Sequence, residues 1–196
     1  NLFNPGKIVE SPPLTSNLRY GPNYKTPNPA TSFDYSEHGG FGRAVEMCSG
    51  VGACRKTLAG TMCPSYMATR DEAHSTRGRA NTLRLAMNGA LEPTGPRNTG
   101  LATKEVYDVL DLCLECRACK TECPVGVDMA RFKSEFLADY WHQHGTPLRA
   151  RVLGHIHGLS AIASRMAPLL NPLLRHNWIR VLNEGLFGID RRRSLP

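Results

Sequence analysis

Four cysteines fall within eleven residues of the stretch CLECRACKTECPVGVD, positions 113 to 128, and a proline follows the fourth. No other feature restricts the folding of this chain so strongly. Thiols held that close must be satisfied together, and the surrounding chain has to wrap whatever satisfies them. Three more cysteines, Cys48, Cys54 and Cys63, lie upstream. Seven is an awkward number for any simple centre.

Context favours metal over disulfides. The chain opens NLFNPGKIVESPPL, with no initiator methionine and no apolar core of a signal peptide. It reads as an internal segment of a longer polypeptide kept in a reducing compartment, where clustered cysteines bind metal more often than they pair. No apolar run approaches the ~20 residues needed to span a bilayer.

The spacing then narrows the metal. Cys113-x2-Cys116-x2-Cys119-x3-Cys123-Pro124 is the run found in bacterial ferredoxins. Two-residue gaps let a tight loop wrap three thiolates around one iron–sulfur cube, and the fourth cysteine leaves that loop for a second cluster. Zinc is the competing metal, but its sites usually pair two C-x2-C knuckles across a longer loop. Laid on MCSGVGACRKTLAGTMCPSY, the same spacing puts Cys48 first, Cys54 third and Cys63, before Pro64, fourth. The second position is Val51, and the loop to Cys63 is five residues longer than the pattern. By the crossover rule Cys113, Cys116, Cys119 and Cys63 hold a 4Fe–4S cluster. Cys48, Cys54 and Cys123 hold a second cluster with three thiolates. Valine cannot ligate iron, so that cluster is expected to be 3Fe–4S, or a labile 4Fe–4S with water or a non-cysteine ligand at its open corner. The alternative is that Cys48 and Cys54 are buried small hydrophobes. Ser49, Gly50, Gly52 and Ala53 around them are the small residues that close wrapping requires.

The formal charge of +7 counts every cysteine as neutral. Thiolate-bound clusters are anionic, so the arginines near the thiols offset them, and basic side chains near sulfur raise a cluster's potential. Arg55, Lys56, Arg70, Arg77, Arg79, Arg117 and Lys120 are the candidates. His38 and His74 lie near enough in sequence to approach the first cluster, although a surface role is the simpler reading for each. No GxGxxG, GxSxG, Walker or HExxH motif occurs, and no residue stands out as a catalytic nucleophile or base.

The fold class is mainly α: a helical, ferredoxin-like dicluster domain with an extended N-terminal arm and C-terminal amphipathic helices. Residues 1–43 are proline-rich and polar, and are expected to lie across a neighbouring domain. Residues 44–145 carry all seven cysteines. Thr69 and Glu72 have capping-box spacing ahead of a helix through Leu83 and Met87 to Gly89. Thr103 is predicted to cap a helix with Val106, Val109, Leu110 and Cys113 on one face. Asp128 is predicted to cap another, striped with Met129, Phe132, Phe136 and Tyr140 and stopped by Gly145. Residues 146–196 are basic and amphipathic, broken by Pro168 and Pro172 into two or three short helices, and end in a linker to a following domain.

Two stretches, GFGRAVEMCSGVGACRKTLAGTMCPSYMATRDEAHSTRGRANTLRLA and VLDLCLECRACKTECPVGVDMARFKSEFLADYW, resemble the ferredoxin region of large FAD-linked oxidases. These are D-2-hydroxyacid dehydrogenases related to glycolate oxidase and D-2-hydroxyglutarate dehydrogenase. NLFNPGKIV resembles the last residues of that family's flavin domain. The resemblance implies an FAD domain before this segment and a C-terminal cysteine-rich domain after it, in the same protein or complex. The segment would be the iron–sulfur part of an FAD-dependent oxidoreductase, passing electrons from FAD to an acceptor, with FAD bound by the adjoining domain and no substrate pocket of its own. The dicluster arrangement also resembles the iron–sulfur subunit of succinate dehydrogenase, where an apolar residue likewise replaces one cysteine at the three-iron cluster.

Two other readings remain. One is a cysteine-rich zinc module that binds nucleic acid through its arginines; the preferred reading has no nucleic-acid partner. The other keeps the clusters and docks the basic C-terminal helices on a membrane. The expected location is the cytoplasm, with the inner face of the membrane as its variant.

Overall fold

A computed structural model describes residues 12–18, 20–91 and 101–193. NLFNPGKIV, read above as a flavin-domain ending, lies outside them. All regular structure among the described residues is helical. The chain divides into two compact units, Asn1–Glu92 with Asp108–Glu135, and Pro93–Tyr107 with Phe136–Pro196.

The first unit contains every cysteine. Helix α1 (Phe41–Glu46) buries Phe41, Ala44 and Val45. Helix α2 (Pro64–Thr69) starts on a proline whose missing N–H costs nothing in a first turn. Helix α3 (Thr76–Met87) buries Ala80, Leu83 and Ala86. Helix α4 (Lys104–Asp111) enters this unit with its last turn, and the short α5 (Ala118–Glu122) follows. The first half of α6 (Met129–His144) completes the unit. Tyr35, Phe41 and Phe132 form an aromatic cluster with ring centroids 5.2 to 6.2 Å apart. Such edge-on pairs add about 0.5–1.5 kcal/mol each beyond the area they bury.

The proline-rich segment contributes directly to this unit. Tyr24 and Thr26 hydroxyls donate to the Glu46 carboxylate, and the Ser32 and Phe33 amides donate to Glu135. Arg131 donates to the Asp34 carbonyl and stacks over Tyr35. A Cβ on Gly42 would lie 1.9 Å from the Pro27 carbonyl oxygen, so only glycine lets the segment approach α1 this closely.

Capping differs from the sequence expectation in one place. Thr69 is the last residue of α2, and its hydroxyl turns back to the Ser65 carbonyl. Arg70, left-handed at φ 59°, ends that helix. Asp71 caps a single 3-10 turn, and Ser75 caps α3 by accepting from the Gly78 amide at 2.8 Å. The predicted caps on α4 and α6 are present: Thr103 accepts from Val106, and Asp128 from Arg131.

In the second unit Ala102, Thr103, Val106 and Phe136 are buried. Tyr140 stacks on Tyr107 and on His144, with centroids 4.7 and 4.1 Å away. Beyond Gly145 come four helices rather than two or three: α7 (Leu148–Gly154), α8 (Ile156–Arg165), α9 (Ala167–Leu174) and α10 (Asn177–Phe187). Pro168 sits harmlessly in the first turn of α9. Pro172 lies inside that helix without breaking it. Ile179 is the one residue of these helices that is buried.

Candidate functional site

The run from Cys113 forms a tight loop. The Cys113 amide bonds the Leu110 carbonyl at the end of α4. Glu115 and Arg117 both take left-handed φ values, 53° and 61°, which curl the backbone within three residues. Alternation of left- and right-handed residues turns successive amides toward one side, forming an anion-binding concavity. Cys119 sits buried on α5, and its sulfur accepts from the Met129 amide at 3.4 Å. Arg117 closes the loop onto Asp128 at 2.8 Å, tying it to the start of α6.

Cys48 lies two residues beyond α1, and Cys54 sits in a 3-10 turn (Ala53–Arg55) started by Gly52. Gly50 and Gly52 are left-handed, at φ 82° and 80°. The Arg77 amide donates to Cys54 Sγ at 3.4 Å. Cys63 stands at the N-cap of α2, directly before Pro64.

Two cavities divide the seven thiols. One, of about 330 Å³, is lined by Cys63, Cys113, Cys116 and Cys119. The other, of about 280 Å³, is lined by Cys48, Cys54 and Cys123, with Val51 and Val125 on its wall. Cys63 therefore faces the loop of the later cysteines, and Cys123 faces the loop of the earlier ones. Met62 and Thr76 line both cavities and form a common wall. Val51 is 64% exposed, so the second cavity reaches solvent beside it. Neither His38 nor His74 lines it. His38 pairs with Glu37, while the His74 carbonyl accepts from Ser65 and Cys63.

Electrostatics separate Cys63 from its neighbours. Burial pushes the thiols of Cys48, Cys113 and Cys119 up. Burial also acts on Cys63, but the Ser65 hydroxyl, the Tyr66 amide and the Arg79 charge outweigh it and hold that thiol below its ordinary value. Lys133, only 9% exposed, donates to the carbonyls of Asp111 and Cys113 and so braces the loop from beneath.

Reading the sequence alone missed Met62, Thr76 and Lys133. The signal for Lys133 was present: it lies four residues after Met129, on the apolar side of α6 beside Phe132.

The donor set suits an iron–sulfur group. Apart from Glu115 and the weakly ligating thioethers of Met62 and Met129, the metal-binding side chains at the two cavities are thiols, the ligand these clusters use. Among the described residues, no three His, Cys, Asp or Glu side chains converge closely enough to hold one ion. A tetrahedral zinc would draw four donors to within about 2.3 Å of a single point. A cluster spreads its ligands over several irons and leaves the thiols apart around a cavity.

Helical wrapping, two adjoining thiol cavities and crossed fourth cysteines define an iron–sulfur domain of the dicluster class. Residues 44–127 match the 4Fe-4S dicluster domain family, and this part of the chain is a domain of that kind. The chain as a whole is homologous to a segment of D-2-hydroxyglutarate dehydrogenases. It is 26% identical to the Escherichia coli (strain K12) D-2-hydroxyglutarate dehydrogenase over 230 residues, covering 96% of this chain and 21% of that protein. It is 30% identical to the Pseudomonas putida D-2-hydroxyglutarate dehydrogenase over 169 residues, covering 72% of this chain and 17% of that protein. The E. coli glycolate oxidase iron-sulfur subunit is 32% identical over 83 residues, covering 42% of this chain and 17% of that subunit. The chain thus spans about a fifth of the length of the curated relatives it matches. No solved structure matches significantly.

Proposed function

We propose that this segment is the electron-transfer part of an FAD-dependent D-2-hydroxyacid dehydrogenase. Cys63, Cys113, Cys116 and Cys119 hold a 4Fe–4S cluster. Cys48, Cys54 and Cys123 hold a second, three-thiolate cluster. Such clusters, when bound, take up and release one electron at a time. The observation that carries the reading is the division of seven thiols into four and three, with Cys63 and Cys123 exchanged between loops. Three cysteines at two-residue gaps, with a fourth before a proline, favour clusters over a zinc module, whose knuckles usually pair across a longer loop.

The chain's own groups have clear tasks in this reading. Amides of Arg77 and Met129 hydrogen-bond thiolate sulfur and so temper its charge. Met62, 1% exposed, and Thr76, 3% exposed, exclude water between the two centres. At the open corner Val51 offers no ligand, yet its exposure lets water reach that position. A fourth iron at that corner, when present, would be held by water and not by a protein side chain. The electrons come from a flavin in an adjoining domain, where the hydroxyacid is oxidised, and a cysteine-rich domain completes the assembly.

The single experiment is a pair of ligand deletions in the full-length protein. Cys63→Ser should abolish the four-iron signal of reduced samples, and Cys123→Ser the three-iron signal of mildly oxidised ones, in EPR of anaerobically purified protein with iron and sulfide counted. Loss of the four-iron cluster in Cys123→Ser, with Cys63→Ser unaffected, would overturn the crossed ligand sets.

The exposed apolar residues of α7–α10, among them Leu153, Ile162, Leu169 and Trp178, are the surface this segment offers to its adjoining domains. The same helices carry Arg149, Arg151, Arg165 and Arg180, and Arg175 caps the end of α9. That mixture also fits the inner face of an anionic membrane as a peripheral contact.

A further inference from the structure

Among the described residues Arg79 is the largest wholly buried side chain, 1% exposed, and it lines the first cavity from α3. Its Nη1 donates to Cys63 Sγ at 3.3 Å, its Nη2 to Ser65 Oγ at 2.9 Å and its Nε to the Val109 carbonyl at 3.1 Å. Other arginines near the thiols behave differently. Arg55 and Arg77 share Glu72, and Arg117 pairs with Asp128. Among the described residues no carboxylate forms an ion pair with Arg79.

A guanidinium keeps its proton at any ordinary pH, so burial cannot neutralise it. A buried charge without a counter-charge is strongly disfavoured. Of the three groups that Arg79 bonds, only the sulfur of Cys63 can carry a negative charge. The site is thus complete only when that sulfur is anionic, as it is when it ligates iron.

Resting on the reading that Cys63 shares a cluster with Cys113, Cys116 and Cys119, we propose that Arg79 is the fixed counter-charge of that cluster and sets its reduction potential. It acts through Cys63 and touches no substrate. Reduction adds an electron to an already anionic group. A fixed positive charge one hydrogen bond away, screened poorly at this depth, favours the reduced form. Removing it makes reduction harder and lowers the potential. Lys133 contributes less, because Glu115 lies 3.6 Å from its ammonium.

The test is a mediated redox titration of the full-length protein followed by EPR, after iron and sulfide content are measured. The wild type is first shown to hold the four-iron cluster; if it does not, the ligand assignment fails and Arg79 is not at issue. In Arg79→Gln the reduced-to-oxidised ratio at fixed ambient potential should fall about tenfold, which is about 59 mV for one electron. Arg79→Lys keeps the charge and should stay within threefold of wild type. Arg43→Gln removes an exposed charge on α1, away from this cavity, and should also stay within threefold. An unchanged potential in a loaded Arg79→Gln protein overturns the proposal. If Arg79→Gln fails to load, Arg79→Lys decides: a tenfold fall despite the retained charge shows that the hydrogen-bond fork, and not the charge, is what matters.

Discussion

At the scale of single residues, Val51 and Glu72 make the sharpest statements. In the proposed ligand sets Val51 takes the place of a regular ligand, and its exposure leaves that position open to water. Mild oxidation of the anaerobic protein should produce a three-iron EPR signal, and ferrous iron with reductant should remove it. Val51→Cys should abolish that interconversion, whereas a variant that still cycles would show that the open corner lies elsewhere. Glu72 tests the electrostatics. Hydrogen bonding from the Arg77 side chain, then the Arg77 charge, Ser75 and Arg55, hold its carboxyl below the usual carboxylate range. A carboxyl with a depressed folded-state pKa stabilises the fold above its unfolded value of about 4.3, and that contribution fades as pH falls through the folded value. The melting-temperature gap between wild type and Glu72→Gln should therefore be constant from neutral pH down to about 5 and shrink below that. A gap that grows in acid would contradict the ion pairs. Residues differ in how openly the sequence declares them. The cysteines were legible because cluster ligation demands a fixed spacing. Arg79 stood in the sequence as one of seven basic residues near the thiols, and only burial, which depends on distant chain, singles it out.

Helices and their ends come next in scale. The cap of α3 belongs to Ser75, which is fully buried, and loss of an N-cap hydroxyl costs about 0.5–2 kcal/mol. Ser75→Ala should lower urea stability within that range, while Thr69→Ala should cost less because it loses a bond back to its own helix and a long, exposed one from the Asp71 amide at 3.3 Å. Equal losses would restore Thr69 as a cap. The capping-box spacing at Thr69 was misleading for a physical reason: Pro64 starts a helix that uses Thr69 as its last residue, so the next start shifts to Ser75. Helices α4 and α6 were legible because cap, stripe and stop agree with one another in the sequence. Helix α9 was not, since Pro172 breaks a helix only where the missing amide bond and the ring cannot be accommodated. At the other end of the domain, Gly42→Ala would push a methyl against the Pro27 carbonyl. Limited proteolysis should then cut residues 20–35 faster than in the wild type, and an unchanged rate would mean that this segment is held by Glu46 and Glu135 alone.

For the whole molecule, the surface of α7–α10 sets one expectation. Among the described residues no helix is long and apolar enough to cross a membrane. The full-length protein should float with vesicles rich in anionic lipid and not with neutral ones, and addition of salt should release it. Sedimentation with neither kind assigns the surface to adjoining domains. The exchange of Cys63 and Cys123 carries a different consequence, one of polymer physics. In the proposed ligand sets each centre ties together stretches of chain far apart in sequence, and the ties are nested: the span from Cys63 to Cys113 lies inside the span from Cys54 to Cys123, so with either tie fastened the other closes a shorter loop. Cross-links of this kind act largely by narrowing the freedom of the unfolded chain. Losing one fastening should loosen the other although the two share no ligand. Under an iron chelator, Cys123→Ser should shorten the lifetime of the four-iron centre severalfold, and a lifetime equal to wild type would mean that the two fastenings are mechanically independent. The nesting is then a mutual lock, in which the durability of each half is a property of the pair.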